Sequence, residues 1–307
     1  MLDVVTVGWL TMDDIVLPDH TCRAGVLGGG ALYSAVGARI WTPSVGLHSA
    51  AGRPDLEEVL ASVARRGIDP LGIASVPGNG LQLWLLHEST SAKQQVPKLT
   101  SSTADEMTLG RGPLPAAYAD ARGFHIAPQT PLGSIETARS LTAAPGNPVI
   151  TLDLLSDAFI DRHLYADLGF LDAVTAFLPS EAEVERIWDP PDLHAWLRHH
   201  AMAHACHIGV KVGEQGSLIC DFRTGDVTHV PVYPVETFDT TGAGDGYCGG
   251  FLAGLVAGHP PEVCAAMGTV SASYVVEACG ALATVQPDEA DRDARLSHVT
   301  AGLAKLP

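Results

Sequence analysis

Positive charge is scarce in this chain. Eighteen Lys and Arg stand against 35 Asp and Glu across 307 residues, a formal charge of −17 with histidine neutral. Such an acidic surface repels phosphate backbones and anionic headgroups, which argues against nucleic acid and membrane as partners. Long apolar runs are missing too. None approaches the roughly 20 residues that a membrane-spanning helix needs, and Met1-Leu2-Asp3-Val4-Val5 shows no basic-then-apolar leader pattern. The six cysteines (Cys22, Cys206, Cys220, Cys248, Cys264, Cys279) include no C-x-x-C pair. Scattered thiols of this kind read as small hydrophobes in a reduced, cytoplasmic protein. No lysine follows a glycine, so the phosphate loop G-x-x-x-x-G-K-[ST] is absent. Any phosphate must be held by another device.

What is present points to a globular α/β chain. Hydrophobic residues make up 46% and charged residues 17%, a balance that buries a core rather than leaving the chain disordered. No internal repeat or low-complexity tract interrupts it. Val4-Val5-Thr6-Val7 reads as a buried strand ending at Gly8, and Gly28-Gly29-Gly30 precedes an Ala-rich segment of helical spacing that reaches Trp41. Residues 81–87 read as a strand, and the polar stretch from Glu88 to Asp105 as a loop or edge hairpin. Short apolar runs then recur at 123–127, 148–153, 173–178 and 207–212, separated by patterned helices. That alternation predicts βαβ units and a parallel sheet, with ligands at the carboxyl ends of its strands. Gly246 to Gly258 is rich in small residues, as for a closely packed helix. Pro260-Pro261 opens another helix, expected to run to Cys279 with Gly280 as its C-cap. One domain over 1–307 is expected, with a small β lid from about 14–27 and 81–100.

The chemistry concentrates at Phe238-Asp239-Thr240-Thr241-Gly242-Ala243-Gly244-Asp245-Gly246-Tyr247. Glycines at 242 and 244 let backbone N–H groups converge, and a helix beginning near 245 adds its positive end. The result is a pocket for an anion that needs no Lys or Arg. Asp245, at the helix start, is a carboxylate placed to accept a proton. An anion hole beside a base suits phosphoryl transfer to a hydroxyl.

The run Asp-Thr-Thr-Gly-Ala-Gly-Asp-Gly resembles the C-terminal signature of the PfkB (ribokinase-like) carbohydrate kinase family, and matching elements extend the resemblance over residues 3–285. It implies a three-layer α/β/α fold with a mostly parallel central sheet and the small β lid. It also implies an ATP- and Mg²⁺-dependent kinase in which Asp245 is the general base and the amides of Gly242, Ala243 and Gly244 form the anion hole. The spacing of Gly8 and Asp13 resembles the family's sugar-binding first strand, with Trp9 and Thr11 in place of the usual Ser and Asn. Gly28-Gly29-Gly30 resembles its di-glycine signature, with Tyr33 and Ser34 near the place of the expected Asn. Asp13, Gly28, Gly29, Gly30 and Tyr33 are therefore the expected acceptor residues. Pro179-Ser180-Glu181-Ala182-Glu183 resembles the Asn-x-x-Glu element, with Ser180 replacing Asn, and implies that Glu183 orients Mg²⁺ through water. Lys211, Gly213, Glu214 and Gly216 are similar to the strand-and-turn against the nucleotide. Asp239 and Thr241 match positions that bind a monovalent cation, K⁺ being the candidate, and Thr241 also falls in the nucleotide group. A homodimer through the lid is a further implication.

Blander readings compete at each place. Gly244-x-Gly246-x-x-Gly249 satisfies the dinucleotide pattern, but there it would set Asp245 against a pyrophosphate. His194, His199, His200, His204 and His207 lack the H-E-x-x-H form and read as a surface helix rather than a zinc site. Cys248 reads as a small buried thiol. Asp13 rather than its neighbour Asp14 is the expected ligand, and Tyr33 and Trp9 read as packing before recognition, though either could shape the acceptor pocket. A free monosaccharide is the first expectation for the acceptor and a nucleoside the second, with Trp9, Tyr33 and Trp84 available for stacking. A phosphosugar would need a basic cradle, for which Arg23, Arg39, Lys93 and Lys98 are at hand. The competing class is a non-catalytic ligand-binding protein of the same fold, suggested by Thr11, Tyr33 and Ser180 and opposed by the retention of both Asp239 and Asp245.

Overall fold

The computed structural model describes residues 1–88, 93–155 and 162–306. Residues 89–92, inside the expected lid segment, lie outside them. The chain opens with β1 (Val4–Val7), β2 (Thr11–Val16) and β3 (Cys22–Gly28), then α1 (Gly30–Arg39), β4 (Val45–Gly52), α2 (Leu56–Arg65) and β5 (Asp69–Val76). β6 (Leu81–His87), β7 (Lys93–Pro97) and α3 (Ala104–Gly110) follow. Alternation then sets in: β8 (Gly123–Ile126), α4 (Pro131–Leu141), β9 (Val149–Leu152), β10 (Ala176–Phe177), α5 (Glu181–Ile187), α6 (Leu193–His204) and β11 (His207–Lys211). The last part holds β12 (Ser217–Cys220), β13 (Val227–Val230), α7 (Ala243–Ala257), α8 (Pro261–Val276), α9 (Glu289–Ala301) and β14 (Ala304–Leu306).

A ten-stranded sheet carries the order β14-β13-β12-β11-β10-β9-β8-β1-β4-β5. It is parallel from β5 through β11 and antiparallel from β11 to β14. β1 and β4 are buried along their whole length, as strands covered on both faces must be. Helices α1, α7 and α8 pack with one core, and α4 and α6 with another, giving three layers. The small residues of α7 are there for close approach: a Cβ on Gly246 would stand 2.7 Å from Val275 on α8, and one on Gly249 would overlap the Ser34 carbonyl on α1. Among the described residues no helix is long and apolar enough to cross a membrane.

A second sheet has the order β3-β2-β6-β7. β2 alternates buried and half-buried residues, so Thr11, Asp13 and Ile15 share its covered face. The polar stretch after residue 88 supplies β7, which pairs antiparallel with β6 as an edge hairpin.

Two helix boundaries differ from the sequence reading. α7 starts at Ala243, with Gly242 in the left-handed region (φ 76°) before it, so Asp245 is its third residue. α8 stops at Val276, short of Cys279, and Gly280 does not cap it. The cause is a competing bond. The Val276 carbonyl accepts the N–H groups of Phe238 (2.7 Å) and Asp239 (3.2 Å), tying the helix end to the start of the Asp-Thr-Thr-Gly segment.

Candidate active site

The glycine run between β3 and α1 brings two carboxylates to one place. A Cβ on Gly28 would stand 2.5 Å from Asp13 Oδ2, and one on Gly30 would stand 2.7 Å from Asp245 Oδ1 and 3.0 Å from Pro128 Cδ. Gly29 has φ 99° and passes so close to the Trp9 carbonyl that a Cβ would overlap it. Gly29 therefore has to be glycine, and the run connects Asp13 at one end with Asp245 at the other.

Asp13 is 3% exposed and accepts a 2.9 Å hydrogen bond from the Thr11 hydroxyl. Thr11 thus supplies a polar partner on the same face of β2. Asp14 points the other way, where it accepts from Gly25 N–H at 2.8 Å and pairs with Lys98 at 2.7 Å. That ammonium also lies 4.9 Å from the centre of the half-exposed Trp84 ring. Trp9 donates its indole N–H to Thr108 and packs with Ala50, Val76 and Met107. The Tyr33 ring backs Gly242, where a Cβ would overlap it. Both aromatics make packing contacts, Tyr33 behind Gly242 and Trp9 with Ala50, Val76 and Met107.

At the other end, α7 aims its positive terminus across the 239–245 turn. Asp239 Oδ1 accepts the Thr241 N–H at 2.8 Å, and the Ala243 N–H closes the turn on the Thr240 carbonyl at 3.3 Å. One of the three amides expected to hold an anion is thereby engaged in the turn itself. His87, the last residue of β6, sets Nε2 3.7 Å from Asp239 Oδ1 and 3.3 Å from Thr241 Oγ1 in a buried contact. Asp239 and Thr241 both offer oxygen, the donor that a hard cation takes, and both are in contact with His87 here.

Lys211, the last residue of β11, buries its ammonium in a salt bridge to Asp153. Burial would strip its proton, but the Asp153 and Glu183 carboxyl groups outweigh this and hold it above the ordinary lysine range. Its Nζ and Cδ lie 3.5 Å from where a Cβ of Gly244 would be. Ser180 and Glu183 form a capping box on α5: Glu183 Oε2 accepts the Ser180 N–H at 2.6 Å, and Ser180 Oγ accepts the Glu183 N–H at 3.3 Å. Ser180 thus serves the helix start in place of asparagine. Burial, then repulsion from Asp153, raises the Glu183 carboxyl to about 7. Gly213–Gln215 makes an exposed turn after β11, and Gly216 (φ 95°) closes it through the Val212 N–H to Gly216 carbonyl bond of 2.9 Å.

The set fits the groups that its chemistry suggests. A positive-φ glycine, a bare Gly244 and a lysine at the helix start make a cradle for phosphate. A partly buried carboxylate at Glu183 suits Mg²⁺. Sequence reasoning missed Asp153, Pro128 and His87. Asp153 was within reach of it, as the residue directly after a parallel strand. The histidines of α6 form no metal group among the described residues, and His204 instead pairs with Asp172 at 2.8 Å.

The sequence profile of the pfkB family carbohydrate kinases matches residues 84–288. A cytidine kinase from Thermococcus kodakarensis is 30% identical over 293 residues, which span 91% of this chain and 98% of that protein. Among solved structures, the Burkholderia thailandensis nucleoside kinase in complex with ADP-inosine superposes with a TM-score of 0.79 at 16% identity, covering 99% of this chain and 98% of that one. An E. coli protein described as a ribokinase II, solved with ATP and Mg²⁺, gives 0.74 at 15% identity and covers 97% and 100%. These two show a shared fold. Together with the profile match and the full-length relative, they establish that the chain belongs to the pfkB (ribokinase-like) family of carbohydrate kinases, phosphotransferases with an alcohol group as acceptor.

Proposed function

We propose that this protein transfers the γ-phosphoryl group of ATP to a hydroxyl of a nucleoside, with Asp245 as the general base. One observation carries the reading: Asp245 lies at the positive end of α7, against Gly30, at the far end of the glycine run from Asp13. An acceptor lying along that run would meet Asp13 and Thr11 with its hydroxyls and present its reacting oxygen to Asp245. The Asp245 carboxylate takes that proton as the oxygen–phosphorus bond forms. The backbone at Gly242 and Gly244, with the helix dipole behind it, stabilises charge on the phosphoryl oxygens. Lys211 adds a single positive charge beside the turn, and Glu183 would hold Mg²⁺ through water. When bound, the cation neutralises charge on the phosphates.

The nucleoside is preferred over the free monosaccharide because the relative named as a cytidine kinase matches along nearly its whole length. Tyr33 and Trp9 make packing contacts, so the base would be held by shape and hydrogen bonds rather than by stacking on them. ADP formation from ATP and Mg²⁺ across a panel of nucleosides and free sugars tests the reading. Faster turnover with a nucleoside than with any free sugar is expected. Turnover with sugars alone would overturn the acceptor, and ATP binding without turnover on any acceptor would overturn the kinase assignment.

A further inference from the structure

We infer that Asp153, which belongs to none of the motifs above, is a positioning residue for phosphoryl transfer: it holds the Lys211 ammonium against the Gly242–Gly244 turn. The inference rests on the kinase reading and deepens it. Asp153 directly follows β9 and is 3% exposed. Lys211 ends β11, two strands along the sheet, so its side chain crosses the end of β10 to reach the carboxylate. Both residues sit at the carboxyl ends of parallel strands, where ligands bind in folds of this kind.

The carboxylate is itself fixed. Its Oδ1 accepts the Leu154 N–H at 2.8 Å, which leaves Oδ2 for the Lys211 ammonium. Cys248, one helical turn after Gly244 on α7, completes the surroundings. Its Sγ lies 3.7 Å from Lys211 Nζ and 3.5 Å from Asp153 Oδ2. Burial of the thiol, reinforced by Asp153, keeps it protonated and uncharged. The ammonium is therefore held between Asp153, the Cys248 thiol and the bare backbone of Gly244. An ammonium has three donors, so the salt bridge leaves capacity for an oxygen arriving at the turn. Lysine is a point charge on a flexible stem, and without Asp153 that stem has no fixed aim. A buried ion pair is weak evidence for stability, whereas its place beside the turn gives this one a use in transfer.

The test compares Asp153→Asn, Lys211→Met and the double variant with wild type, measuring kcat, the KM for acceptor and the Kd for ATP. Each single variant is expected to lower kcat by about 30- to 100-fold, as for a misplaced catalytic group, while the acceptor KM holds. The double variant should be no slower than Lys211→Met, because the carboxylate acts only through the lysine. Asp153→Glu should regain part of the loss. Unchanged kcat in Asp153→Asn, or losses that multiply in the double variant, would overturn the role. Should Asp153→Asn not fold, the charge-free pair Asp153→Leu/Lys211→Met replaces it, and a rate well below that of Lys211→Met would contradict the inference. Wild-type turnover checks the kinase reading separately: its absence overturns both, and its presence leaves the variant ratios to decide Asp153.

Discussion

The two ends of the Gly28–Gly30 run are built from different chemistry. At the acceptor end, one buried carboxylate, Asp13, accepts a hydrogen bond from a hydroxyl of its own strand. At the phosphate end, Asp245, Asp153, Glu183 and Lys211 gather around a helix terminus and a positive-φ glycine. The difference teaches how a chain of formal charge −17 can receive a polyanion. On the proposed function its attraction would come from backbone amides, a helix dipole and one lysine paired with Asp153, and the remaining carboxylates would suit a divalent cation.

The largest expected effect at either end is at Asp245. Asp245→Asn should lower kcat by roughly 10³- to 10⁴-fold, the loss typical of a general base, without loosening ATP. Asp13→Asn should act on the opposite quantity. The acceptor KM should rise by about 10- to 100-fold, as for a lost hydrogen bond to a charged group, with kcat and the ATP KM held. Steady-state kinetics over both substrates checks the pair, and a matching kcat loss in Asp13→Asn would erase the distinction between the ends.

A smaller effect belongs to stability. His125, on β8, bonds Thr151 Oγ1 at 2.9 Å, and burial, followed by the Lys211 charge, drives its imidazole down to about 3. The unfolded chain, with an ordinary histidine near 6.5, then binds the proton more tightly than the folded one. Its contribution is present in full above the unfolded value and is lost as pH falls from there toward about 3. Chemical denaturation at pH 7.5 and pH 5 should show this fall, and His125→Gln should make it smaller, with His48 and His200, which burial also holds down to about 4, supplying the rest. An equal fall in both proteins would remove His125 from the account.

The phosphate end was the more legible in the sequence, for a physical reason. Its device is backbone geometry: a left-handed glycine at 242 before a helix with a carboxylate at 245, in a run of eight residues that stands out in the sequence. The parallel strands were legible too, because strands covered on both faces must be apolar along their length. The acceptor end was harder to read. Tyr33 and Trp9 can stack or pack, and only the overlap of Tyr33 with Gly242 and the indole bond to Thr108 decide it. The early end of α8 was hidden because the Val276 carbonyl bonds residues 238 and 239, far back in the chain. Lys211 and Asp153 were separated by 58 residues, and no local pattern joins a strand-end lysine to a carboxylate two strands away.

The account depends most on Asp245 being the base while the backbone holds the phosphates. The direct measurement is a single turnover with γ-labelled ATP and a nucleoside acceptor, carried out with wild type and Asp245→Asn at equal ATP occupancy. The account predicts label on the nucleoside for wild type, and label still on bound ATP for the variant. Transfer by Asp245→Asn at the wild-type rate would contradict it.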